Sequence, residues 1–139
     1  MSKISKYFSE IELQCKCKNC GNSCPMDTVF LQLLDIVREE CGVPLNISSG
    51  FRCNRHNKDI GGVSNSWHTK GKAADVWSTK ISLNTIYNIA NKYFDEVILY
   101  KDNGFVHIGE PKSQFYALGS GINKAYLKEE IKPLIYLKI

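Results

Sequence analysis

Ser66-Trp67-His68-Thr69-Lys70-Gly71-Lys72-Ala73-Ala74-Asp75-Val76-Trp77 is the stretch on which the reading of this chain turns. Its first half is polar and glycine-bearing, as a surface loop is. Its second half, Ala73 to Trp77, is an apolar run of strand length with one acid inside it. An ionised carboxylate in a buried strand is costly unless a counter-charge or a metal ion neutralises it. Gly71 lets the chain reverse between His68 and Asp75, so both side chains can point at one centre.

Upstream of this stretch, Asp27 is a good N-cap, and Val29, Phe30, Leu33, Ile36 and Val37 follow at helical spacing. Gly42 and Pro44 stop that pattern, which predicts an amphipathic helix over 28–41. A short apolar run, Leu45 to Ile47, leads into Ser48-Ser49-Gly50 and a polar loop that continues to Gly71. Downstream, Ser82 caps a second helix with Leu83, Ile86, Tyr87 and Ala90 on one face. Val97 to Tyr100 and Phe105 to Ile108 then flank Lys101-Asp102-Asn103-Gly104, and Asn-Gly between apolar runs signals a hairpin. The pattern is α+β, a small antiparallel sheet flanked by helices. We expect one domain over 1–139, with a Cys-rich segment at 15–24 and a C-terminal extension at 111–139. The apolar end of that extension, Ile131 to Ile139, suits a closing strand or a docking segment.

At 139 residues a chain can bury enough surface to need no metal for folding alone. Its net charge of +4 comes from scattered basic residues, so no nucleic-acid footprint stands out. Neither a secretory signal nor a run of ~20 apolar residues is present, which predicts cytoplasmic synthesis with no transmembrane segment. Six cysteines stand at 15, 17, 20, 24, 41 and 53. Cys15, Cys17, Cys20 and Cys24 crowd together as C-x-C-x2-C-x3-C, which suits a second metal or a redox-dependent clasp, with unliganded thiols as the alternative. Cys41 and Cys53 fit either arrangement.

Of three histidines, His56 lies in the polar loop and His68 in the deciding stretch. His107 sits in the second hairpin strand, on the opposite face from Val106 and Ile108. Two imidazoles and a carboxylate make a three-ligand zinc set with a fourth position open, the pattern of catalytic sites.

The combined pattern Ile47-Ser48-Ser49-Gly50-Phe51-Arg52, Asn57, Gly61-Gly62, Ser66-Trp67-His68, Gly71, Ala73, Asp75 and Gly104-Phe105-Val106-His107 resembles the D-alanyl-D-alanine metallopeptidase superfamily. That group holds zinc D,D-carboxypeptidases, phage L-alanyl-D-glutamate endolysins and murein endopeptidases, with hedgehog signalling domains as distant relatives. The likeness covers about residues 27–110. It implies a hedgehog/D,D-peptidase-like fold, Zn2+ held by His68, Asp75 and His107, Arg52 on a substrate carbonyl or carboxylate, and Ser66 lining the cleft. A guanidinium suits either an anionic peptide end or a developing oxyanion. The alternative for Arg52 is a structural pair with Asp59 or Asp75.

One departure concerns the general base. Many members carry a carboxylate a few residues before the last histidine, where this chain has Lys101, Asp102 and Gly104. A two-residue Asn103-Gly104 turn would pair Asp102 with Phe105 and Tyr100 with His107, so that Asp102 and Tyr100 flank the metal. A three-residue loop would bring Lys101 and Leu99 there instead. Asp102 is therefore the first candidate base, with Glu110 and Glu96 behind it, and catalysis without a protein base remains open.

The expected function is hydrolysis of the peptidoglycan stem peptide by zinc-activated water, in a monomer that reaches the wall through a pore made by another protein. The rival is a zinc-binding or phage docking module without catalysis. A cysteine hydrolase built on Cys53 ranks third, because nothing pairs that thiol with a base.

Overall fold

The computed structural model describes residues 3–17 and 19–116. The apolar end at 131–139 and most of the expected C-terminal extension lie outside the described residues. Four strands, β1 (Asn46–Ser49), β2 (Ala73–Trp77), β3 (Phe94–Tyr100) and β4 (Phe105–Pro111), form one antiparallel sheet in the order β1-β2-β4-β3. Helices α1 (Glu10–Leu13), α2 (Thr28–Cys41), α3 (Asn54–Asp59), α4 (Leu83–Ala90) and α5 (Ser113–Tyr116) surround it. The α+β architecture is thus the one expected from the sequence.

Side chains alternate across a strand, and here the alternation separates core from cleft. Ala74, Val76, Val106 and Ile108 are wholly buried with Phe30, Leu33 and Leu34 of α2 and Ile86 and Ala90 of α4. On the other face Ser49, Asp75, His107 and Ile98 stand in one row across β1, β2, β4 and β3. The apolar face anchors the sheet, and the same pleat turns Asp75 and His107 to the opposite face.

Helix α2 keeps its expected bounds: the Asp27 carboxylate accepts from the Phe30 N–H at 2.9 Å, and Gly42 ends the helix in a left-handed cap. Asp35, buried within α2, ties the chain's beginning to this helix. It accepts from the Ser5 hydroxyl at 2.9 Å and from the Lys6 and Tyr7 N–H groups at 2.9 and 3.1 Å. Burial pushes its carboxyl upward, and these three bonds work against that push.

Two elements depart from the sequence reading. The stretch read as a loop from 48 to 71 contains α3 and a 3₁₀ turn, Trp67–Lys70. His56 therefore lies on a helix, partly buried. The hairpin closes through four residues, with the Asn103 and Gly104 N–H groups both donating to the Tyr100 carbonyl at 3.2 and 2.9 Å. Tyr100 pairs with Phe105 and Ile98 with His107, which corrects both expected registers. The correction is two residues from the two-residue turn, so Tyr100 keeps its expected face while Asp102 leaves the sheet.

Candidate active site

Gly71 makes the turn the sequence demands. Its φ is +70°, and a Cβ there would lie 2.1 Å from the Pro25 carbonyl oxygen, so only glycine fits. The Ser66 hydroxyl caps the 3₁₀ turn, accepting from the His68 N–H at 3.2 Å, and so fixes the start of the segment that carries His68. Asp75 and His107 are direct cross-strand partners on β2 and β4.

These elements bring His68, Asp75 and His107 together, all buried, with ligand-type atoms within 4.8 Å of one another. Asp75 Oδ1 lies 3.2 Å from His68 Nε2 and 3.0 Å from His107 Nδ1, and the two rings are 5.1 Å apart. His68 Nδ1 lies 2.7 Å from the Gly50 carbonyl oxygen. A carbonyl only accepts, so Nδ1 carries a proton there, and Nε2 is the atom turned towards Asp75. A histidine held by a backbone carbonyl while its other nitrogen faces an acid is the usual outer support of a metal ligand.

His107 faces a carboxylate at each nitrogen, since its Nε2 lies 2.6 Å from Glu96 Oε1. Burial lowers its pKa, but hydrogen bonds to Asp75 and Glu96 outweigh that and raise it above the ordinary value. Burial also opposes ionisation of Asp75, whereas bonds from His107 and His68 hold its carboxyl down to about 2. The centre is thus an ionised acid with imidazole nitrogens directed at it, a donor set that suits a divalent cation of borderline softness such as zinc.

Arg52 closes the opposite side of Asp75. Its Nη2 lies 3.3 Å from Asp75 Oδ2, its Nη1 donates to Asn57 Oδ1 at 3.2 Å, and its Nε donates to the Ser49 hydroxyl at 3.1 Å. Of the two structural partners anticipated for it, Asp75 is the one engaged. Three of five guanidinium N–H groups are used, which leaves two for an incoming oxygen.

His68, Asp75 and His107 form the floor of an open cleft of about 460 Å³, which Arg52, Ser66, Glu96 and Tyr100 also line. Val63, Ile98 and Phe105 give it apolar walls, and Tyr100 stacks on Phe105 at 4.8 Å. Asp102, the first candidate base, is exposed in the hairpin turn and outside this lining, because the four-residue loop carries it past the end of the sheet. Glu110 is outside it too, at a left-handed φ of 55°. Glu96 takes the place expected of Asp102. A strand begun at Val97, where the apolar run starts, leaves Glu96 out, whereas β3 begins at Phe94 and period-two counting back from Ile98 puts Glu96 on the face of His107.

The sulfurs are also regrouped. Cys15, Cys17, Cys20 and Cys53 come together, and Cys53 stands where Cys24 was expected. The Cys53 sulfur lies 3.5 Å from that of Cys17 and accepts from the His56 backbone N–H.

The sequence matches the family model described as Peptidase M15 over residues 6–109, well over half of the chain. The chain belongs to the peptidase M15 family. M15 members are zinc peptidases, and the three clustered side chains of this M15 chain fit such an ion. No curated protein matches the sequence.

Proposed function

We propose that this M15 chain is a zinc-dependent hydrolase of peptidoglycan stem peptides, acting as a small phage-type endolysin. The observation that carries this reading is the convergence of His68, Asp75 and His107 on the floor of an open cleft beside a carboxylate that is not one of the three, Glu96. A zinc ion held there supplies Lewis-acid polarisation of a carbonyl and acidification of water.

The remaining steps belong to the chain's own groups. The two free N–H groups of Arg52 bind an oxygen of the peptide, either a terminal carboxylate or the carbonyl being cleaved. Ser66 holds the His68 segment in place, and Tyr100 with Phe105 offers a flat apolar wall to the stem peptide. Glu96 accepts the proton of the attacking water and returns it to the departing amine. Its bond to His107 also orients that ring, so a role in position and a role in proton transfer must be separated by experiment. The route to the wall is passage through a pore formed by another protein, with the chain working as a monomer.

Digestion of purified peptidoglycan with the zinc-loaded protein, read by mass spectrometry of the released peptides, tests the proposal. New amine and carboxyl ends within the stem peptide are expected, and chelation should abolish them. Intact stem peptides at high enzyme with zinc bound would reject it. A second reading, a zinc-binding module without catalysis, draws on the engagement of Arg52 with Asp75. It predicts full zinc occupancy with no peptide released from any wall type.

A further inference from the structure

Among the described residues outside the cleft, one group of metal-ligating side chains lies where the segment after α1 meets the loop after β1. Cys15, Cys17 and Cys20 come from the segment after α1, and Cys53 comes from 33 residues beyond Cys20. We infer that Cys15, Cys17, Cys20 and Cys53 form a second, structural zinc site that fastens the N-terminal segment to the loop carrying Arg52.

All four sulfurs lie within 4.8 Å of one another. A tetrahedral zinc with Zn–S bonds of about 2.3 Å separates its sulfurs by about 3.8 Å. The Cys17 sulfur lies 3.2 Å from that of Cys20 and 3.5 Å from that of Cys53. One sulfur shared between two neighbours is the pattern of convergence on a point, not of two separate disulfide pairs. Backbone amides already face the sulfurs: the Cys53 N–H donates to Cys15 Sγ and the His56 N–H to Cys53 Sγ, both at 3.4 Å. Amide donors to sulfur are the support a thiolate ligand needs. Cys24 and Cys41 lie outside the group, so the selection is specific among the described cysteines.

The site has a structural task. Each residue from Gly50 to Cys53 is pinned to a segment distant in sequence. The Gly50 carbonyl accepts from His68 Nδ1, the Phe51 N–H donates to the Leu13 carbonyl at 2.8 Å, and the Arg52 N–H donates to the His68 carbonyl at 3.1 Å. Cys53 completes the series by joining the sulfur group. A zinc there holds both flanks of this loop, and with them the placement of Arg52 and His68.

Cobalt(II) titration of the reduced full chain tests the inference independently of peptide cleavage, because thiolate-to-cobalt charge transfer absorbs in the near ultraviolet and a histidine-carboxylate site gives no such band. The band is expected in the parent and in His68→Ala and Cys24→Ser variants, and zinc should displace it. Cys53→Ser should remove the band and lower the metal count by one. That variant keeps a cap on α3, because a serine hydroxyl can accept from the His56 N–H as the sulfur does, and alkylation of the parent provides a second readout. Zinc should shield Cys15, Cys17, Cys20 and Cys53 while Cys24 and Cys41 react. Absence of the band in the reduced parent, equal labelling of all six thiols with zinc present, or loss of the band in Cys24→Ser would each overturn it.

Discussion

Glu96 and Asp102 are both acids of the same hairpin, yet of the two only Glu96 lines the cleft. Glu96 reaches His107 at 2.6 Å and lines the cleft, whereas Asp102 stands exposed in the turn. Glu96→Gln keeps an oxygen to accept from His107 Nε2 but cannot take a proton. It should retain its zinc while kcat falls about 10²–10⁴-fold, the usual worth of a general base. Asp102→Asn should leave kcat unchanged. Steady-state kinetics with metal analysis checks both, and zinc loss with a proportionate loss of activity in Glu96→Gln would reduce Glu96 to a positioning residue. A second expectation concerns protons. In the metal-free chain His107 has a raised pKa, so the charged ring contributes stability that is fully present below its unfolded value and lost as pH rises through the raised one. Zinc must displace that proton from Nδ1. Zinc affinity should therefore weaken as pH falls through the raised pKa, by about tenfold per pH unit for each proton displaced. Chelator competition across that range measures it, and an affinity independent of pH would contradict the assignment of Nδ1. His68, Asp75 and His107 were legible as a set in the sequence because a glycine turn and strand alternation fix where each points. Glu96 was not, since its place depends on a register set by the turn.

At the scale of elements, the close approach of α1 to the loop after β1 is the most exposed to test. A Cβ on Gly50 would lie 2.5 Å from the Leu13 carbonyl oxygen and 2.7 Å from its Cα, and neither backbone atom can swing aside. Gly50→Ala should cost about 1–3 kcal/mol, as overpacking does, and lower activity by shifting the carbonyl that orients His68. Urea unfolding reads the first effect, and an unchanged midpoint would show that the segments are not held together. Asp35→Ala should cost about 2–4 kcal/mol, because the Lys6 and Tyr7 N–H groups lose their acceptor. Helix α2 and strand β2 were legible to the residue, since caps and an apolar run fix their ends locally. The hairpin was legible in kind but not in register. Lys101-Asp102-Asn103-Gly104 closes as a four-residue loop, and the Asn-Gly signal alone points to two. Helix α1 was overlooked although Ser9 and Glu12 form a reciprocal capping box. Helix α3 was not legible, because its cap is the Cys53 sulfur, outside the usual set of capping side chains. The replacement of Cys24 by Cys53 in the sulfur group depends on a contact between segments far apart in sequence, which spacing cannot reveal.

At the scale of the molecule, zinc should act on stability as well as on chemistry. A ligand that binds only the folded chain stabilises it by ~2.7 kcal/mol per site at a free concentration about 100 times Kd. Thermal unfolding with and without chelator should show that gain, and His68→Ala should lose only the share due to the histidine site. Among the described residues no helix is long and apolar enough to cross a membrane. The central claim is that two imidazoles and one carboxylate share a zinc ion at the base of the cleft. Anomalous diffraction at the zinc edge from zinc-loaded crystals tests it most directly. The account predicts a peak within coordination distance of His68 Nε2, an Asp75 carboxylate oxygen and His107 Nδ1. A fully loaded crystal with no peak there, and the three side chains still in mutual contact, would contradict it.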